Sequence, residues 1–183
     1  MGMYIFIGVV VIVFLWFIAT YNKLISAKNA ADNSWADIDV QLKRRYDLIP
    51  NLVETVKGYA GHEKTLFENV TKARTAAMGA TTPAEHAAAE NALAGTLKTL
   101  FAVAENYPEL KASQNFMELQ GELRDTEDKV QAARRFYNAN VRDWNTLVQQ
   151  FPTNTVANAM KFKTLQFFEI ADDAQREAPK VQF

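Results

Sequence analysis

The chain opens on an apolar run. No Asp, Glu, Lys or Arg precedes Lys23, and Met3 to Ala19 is unbroken Met, Tyr, Ile, Phe, Gly, Val, Leu, Trp and Ala, extended by Thr20 and Tyr21. A helix over Met3–Tyr21 would be about 28 Å long, close to the ~30 Å hydrocarbon core of a bilayer. Past Tyr21 the pattern becomes amphipathic. Leu24, Ala27, Ala31, Trp35, Ile38, Leu42, Tyr46, Ile49, Val53 and Val56 recur at steps of three and four, which is one face of a helix. No breaker separates that face from the apolar run, so one helix is predicted to leave the bilayer and continue to Lys57. Pro50 interrupts it, and a kink is expected because proline removes one helical hydrogen bond and crowds the Tyr46 carbonyl four residues back. The apolar phase continues beyond the proline until Gly58 and Gly61 end the element.

Three more helices follow by the same periodicity. Leu66, Val70, Ala73 and Ala77 mark a second, closed by Gly79. Thr82-Pro83-Ala84-Glu85 is a capping box with proline at the first helical position, and it opens a third with Ala89, Leu93, Leu97, Leu100 and Ala104 on its apolar face. Asn106-Tyr107-Pro108 closes that helix. A fourth, from about Ser113 to Gln150, carries Phe116, Leu119, Leu123, Thr126, Val130, Ala133 and Tyr137. It then takes an extra step of four to Val141, before Trp144, Val148 and Phe151. That phase shift resembles a stutter in a coiled coil. No alternating strand pattern occurs. The expected fold is all-α, with an N-terminal transmembrane helix continuing into an antiparallel bundle of about four long helices. The expected organisation is an anchor over 1–22, a bundle over 23–152, and a tail over 153–183 with a short helix and an aromatic cluster at Phe162, Phe167 and Phe168.

The apolar run reads as an uncleaved anchor. A signal peptide would want a basic start, a shorter apolar core and a small-x-small cleavage site, and Ala19-Thr20-Tyr21 is a poor one. Lys23 and Lys28 follow the span and no basic residue precedes it. The positive-inside bias therefore puts the short N-terminus outside and the bundle in the cytoplasm of a bacterial cell, spanning the inner membrane once.

Composition removes chemistries without proposing one. Lys+Arg number 20 and Asp+Glu 21, a net charge of -1, so no basic excess points to nucleic acid. With Cys at 0, disulfide frameworks, thiolate metal sites and cysteine nucleophiles are excluded. Neither His62 nor His86 is preceded three residues back by the Glu of a di-iron motif, and Leu66 stands where a zinc protease needs its second His, so both are expected to be solvated. No nucleophile elbow or phosphate loop is present, and Gly58-Tyr59-Ala60-Gly61 reads as a helix turn. The reading therefore assigns no catalytic residue, metal ligand, cofactor or small-molecule substrate. Lys43-Arg44-Arg45 is the densest basic run. It is expected on a solvated face, with Arg44 or Arg45 in an exposed pair with Glu122, Asp125 or Asp128; partner docking is the competing use. Trp35 and Trp144 are expected to be buried.

The stretch Trp35-Ala36-Asp37-Ile38-Asp39-Val40-Gln41-Leu42-Lys43-Arg44-Arg45-Tyr46-Asp47-Leu48-Ile49-Pro50-Asn51-Leu52-Val53 closely resembles the signature of the LemA family of bacterial proteins. Tyr107-Pro108-Glu109-Leu110-Lys111-Ala112, Arg134-Arg135-Phe136-Tyr137-Asn138, Phe151-Pro152 and Phe167-Phe168-Glu169 are similar to that family too. The likeness runs from about Tyr21 to Phe183 and departs at Lys163-Thr164-Leu165-Gln166, where relatives commonly carry prolines. The resemblance implies a single-pass membrane protein with a bundle of long helices, its small N-terminus outside the cell, and no enzyme activity. It also implies links of some relatives with membrane proteases or magnetosome membranes. The leading expectation is a non-enzymatic scaffold or adaptor whose partners are the lipid bilayer, other proteins and copies of itself. The alternative is an accessory or regulatory subunit of a membrane protease or signalling complex.

Overall fold

The structure, a computed structural model, describes residues 1–169, and these are helical apart from turns and the closing segment. The order is α1 (Gly2–Lys57), α2 (Lys64–Met78), α3 (Pro83–Ala104), the one-turn α4 (Pro108–Lys111), α5 (Gln114–Gln149) and α6 (Thr153–Ala159). The boundaries follow local chemistry. Thr82 caps α3 by accepting the Glu85 amide at 3.2 Å, and the Glu85 carboxylate accepts the Thr81 and Thr82 amides at 2.9 and 3.1 Å. Those bonds, the one from the Thr81 backbone foremost, hold the Glu85 carboxyl below its ordinary range. As expected, α1 passes Pro50 without ending.

The chain forms two compact units. The first comprises Met1–Asp39 and Gln131–Phe167; the second comprises Val40–Val130 together with Phe168 and Glu169 of the described residues.

In the first unit, α1 and α5 run antiparallel. Trp35 faces Tyr137 with ring centres 5.2 Å apart, and Asn140 donates to the Ala30 carbonyl at 3.4 Å. Leu24 packs in one cluster with Trp144, Val148, Val156 and Ala157, flanked by Tyr21, Ala27, Leu147, Phe162 and Leu165. Trp144 is buried as its periodicity predicts. Trp35 is only half-buried, a correction: the buried stripe of α1 runs through Ala31, Ser34 and Ile38, which leaves Trp35 at its flank. Outside the cluster, the apolar run from Met3 to Ile18 is exposed, with none of the other described residues covering it.

The segment after α6 turns at Lys161, which adopts φ 58°, and returns along α5. Side chains of α5 hold it. Trp144 Nε1 donates to the Lys163 carbonyl at 2.9 Å, and the Tyr137 hydroxyl donates to the Gln166 carbonyl at 2.9 Å. The Asn145 amide grips Leu165 twice, donating to its carbonyl at 3.0 Å and accepting its N–H at 2.8 Å.

In the second unit, the last part of α1 packs with α2, α3 and the first part of α5. The core is Leu42, Ile49, Leu52 and Val56 from α1, with Val70, Leu93, Leu97, Leu100, Leu110, Phe116 and Leu123.

Candidate functional site: a buried ion cluster beside a cleft

Arg45 and Tyr46 lie on the stripe of α1 that also carries Leu42 and Ile49, so both side chains enter the second unit. Arg45 is 6% exposed. Its Nη1 lies 2.8 Å from Glu90 Oε2 on α3 and 2.8 Å from Glu127 Oε2 on α5. The Tyr46 hydroxyl donates to the other Glu90 oxygen at 2.5 Å. Both Glu90 oxygens are therefore occupied, and Glu90 is 3% exposed.

The backbone of α1 contributes as well. Pro50 has no N–H, so the Tyr46 carbonyl loses its helical donor. Arg74 of α2 supplies one, its Nε 2.7 Å from that oxygen. The proline thereby creates an acceptor inside the unit, and a cation from the next helix fills it.

Burial pushes the Glu90 carboxyl above its ordinary range; the Arg45 charge and the Tyr46 hydrogen bond oppose that rise, and Glu127 adds to it. Arg45 Nη1 is shared by two carboxylates, one on α3 and one on α5, so the cluster ties α1 to both helices.

Beside it lies a cleft of about 500 Å³, lined by Arg45 and by residues of α3 and α5. Leu97, Phe101 and Leu123 supply apolar surface, and Lys98, Arg124, Glu105 and Glu127 supply charges of both signs.

These contacts revise three expectations. Lys43-Arg44-Arg45 does not act as one basic face: Lys43 and Arg44 are exposed, whereas Arg45 is buried. Its partners are Glu90 and Glu127 rather than Glu122, Asp125 or Asp128, because Arg45 is three residues from Leu42 and four from Ile49, in phase with the core. Asp125 instead bonds Lys129 at 2.7 Å, and that bond, aided by the Arg44 charge, holds its carboxyl below the ordinary range. His86 is buried, while His62 is solvated as expected. The reason is again phase: His86, Glu90, Leu93, Leu97, Leu100 and Ala104 are the core face of α3, and Ala89 lies beside it. Within the aromatic tail, Phe162 is half-buried against Trp144 and Tyr21, Phe168 is fully buried, and Phe167 is exposed. The tail beyond Glu169 lies outside the described residues. Among the described residues no group of three or more His, Asp or Glu is placed to hold a metal ion.

A model of the LemA family matches residues 34–183, a range that contains Arg45, Glu90, Glu127 and the clasp around Leu165. The chain belongs to the LemA family. Protein LemA of Metamycoplasma hominis is 25% identical over 171 residues, covering 91% of this chain and 77% of that protein. Magnetosome protein MamQ 2 of Paramagnetospirillum magneticum is 24% identical over 183 residues, covering 84% of this chain and 67% of the relative. Magnetosome protein MamQ of Magnetospirillum gryphiswaldense is 21% identical over 174 residues, covering 81% and 64% respectively. Family membership and the exposed apolar run of α1 describe a membrane-associated protein of undefined molecular role.

Proposed function

We propose that this LemA-family chain is a single-pass, non-enzymatic membrane protein, a helical scaffold or adaptor with its N-terminus outside and its bundle in the cytoplasm. The observation that carries the reading is the N-terminal run of α1, long and apolar enough to cross a bilayer and left exposed by the described residues. Left in water, such a surface would drive aggregation; in lipid it is satisfied. The second unit spends its buried charges internally, so its use is binding. Its cleft combines an apolar floor at Leu97, Phe101 and Leu123 with a rim of Lys98, Arg124 and Glu105, the composition of a protein-docking surface.

Alkaline carbonate extraction of cell membranes tests the anchor: the full chain stays with the lipid, and release into the supernatant would overturn it. A photo-crosslinking residue at Ala102, which lines the cleft, tests the adaptor reading in living cells. It gives one discrete adduct that the same probe at exposed Thr75 on α2 does not. Identical adducts from both positions would remove the cleft from the proposal.

A further inference from the structure

The corner between α5 and α6 combines three features that the binding proposal leaves unused. Residues 144–168 contain no Asp or Glu, and their only charges are Lys161 and Lys163. Both lysines are exposed. Phe151 stands 76% exposed, more than any side chain of the N-terminal apolar run except Met1.

The helix register fixes the height of this corner. Going down α1 from Trp35 through Ala30 to Leu24 is going up α5 from Tyr137 through Asn140 to Trp144 and Val148. Both helices rise about 1.5 Å per residue, so about ten residues beyond the Ala30–Asn140 contact α1 reaches Thr20 and α5 has just ended at Gln149, with Phe151 in the turn that follows. Thr20 is 6% exposed although it borders an otherwise uncovered run, and the adjacent Tyr21 ring stacks on Phe162 at 6.4 Å. The corner thus abuts the last turn of the candidate span. The polar layer of a bilayer adds roughly 5–8 Å on each side of the hydrocarbon, enough to reach this level of the protein.

We propose that the α5–α6 corner and the Lys161–Lys163 segment form a second membrane contact. Phe151 enters the interfacial layer, and the two lysines meet the phosphates of an anionic lipid surface. An aromatic ring favours that layer, and cations beside it are drawn to a negative leaflet with no acidic neighbour in the segment to repel it. The inference rests on α1 spanning the membrane.

The chain contains no cysteine, so single nitroxide labels report cleanly. The full chain carrying Phe151→Cys, Val10→Cys or Met117→Cys is reconstituted into phosphatidylcholine–phosphatidylglycerol vesicles. Label accessibility to oxygen is then compared with accessibility to a water-soluble nickel chelate. Val10 reports the span, and Met117, exposed on α5 in the second unit, reports water. The label at 151 is expected to favour oxygen, as at Val10 and opposite to Met117. Lys161→Glu with Lys163→Glu should move the label at 151 toward the aqueous value while leaving Val10 unchanged. If Val10 is aqueous, the span itself falls. If Val10 is lipidic while 151 matches Met117, the corner proposal alone falls. Spin coupling between labels at 151 on two copies, without oxygen preference, would show a second copy covering Phe151 and overturn the lipid contact. Charge reversal without effect at 151 would overturn the role of the lysines.

Discussion

Replacing Arg45 by Met isolates what the buried cluster contributes. The substitution keeps most of the side-chain volume and removes the cation hydrogen-bonded to the carboxylate of Glu90, which is 3% exposed and keeps the Tyr46 hydroxyl. Breaking one side of a buried pair in this way costs about 3–5 kcal/mol, mostly the penalty of the orphaned charge. With a urea slope of about 2 kcal/mol/M, the midpoint of the detergent-solubilised full chain should fall by about 1.5–2.5 M with the slope unchanged, read by circular dichroism at 222 nm. Glu90→Gln supplies the control. It removes the charge whose burial is costly, the Gln oxygen can still accept from Arg45, and Arg45 keeps Glu127, so the single change should cost less than Arg45→Met. In the Glu90→Gln background, Arg45→Met should lose much of its effect. The sign of the pH dependence follows from the raised carboxyl of Glu90. Its folded form holds a proton more tightly than the unfolded chain, so the stability it contributes is complete below its unfolded value and is lost as pH rises through the folded one. Acidification should therefore relieve the Arg45→Met variant, and Glu90→Gln should abolish that relief. An equal cost of Arg45→Met in both backgrounds, or a cost below about 1 kcal/mol, would refute the account of an orphaned charge.

Three further outcomes follow from the packing. Trp144→Ala should cost about 3–5 kcal/mol and Trp35→Ala distinctly less, since only Trp144 is fully buried; thermal midpoints of the two variants check the order. Pro50→Ala returns a helical donor to the Tyr46 carbonyl, so Arg74→Met should be less damaging in that background than in the native chain, by roughly 1 kcal/mol in a double-mutant cycle. Asn145→Ala leaves both polar groups of Leu165 without their clasp, at a cost of about 1–3 kcal/mol, and hydrogen exchange at the Leu165 amide should accelerate.

The periodicity made the helices readable, because steps of three and four persist across Leu24–Val56, Leu93–Ala104 and Phe116–Val148 and because Thr82-Pro83-Ala84-Glu85 is a self-contained capping signal. The buried cluster is obscured because residue type points to a solvated face where helix phase points to the core. Arg45 on α1 and Glu90 on α3 each occupy the core phase of their own helix, and their charges are opposite. That coincidence was the available signal. Glu127 and Arg74 could not be found this way: neither was marked by its own periodicity, and their roles depend on which helices lie side by side. The loss of the Tyr46 donor at Pro50 could be read locally, but the guanidinium that answers it belongs to another helix.

The grip on residues 163–166 sets which changes of sequence that segment tolerates. Three of its four bonds end on carbonyl oxygens, those of Lys163, Leu165 and Gln166, and every amino acid offers that group. Only Leu165 must also lend an N–H. The path is thus specified by Trp144, Asn145 and Tyr137 on α5, while positions 163, 164 and 166 can drift as long as the backbone stays extended. The grip also divides substitutions sharply: proline at 166 keeps every bond, whereas proline at 165 deletes the single donor that the Asn145 amide reads.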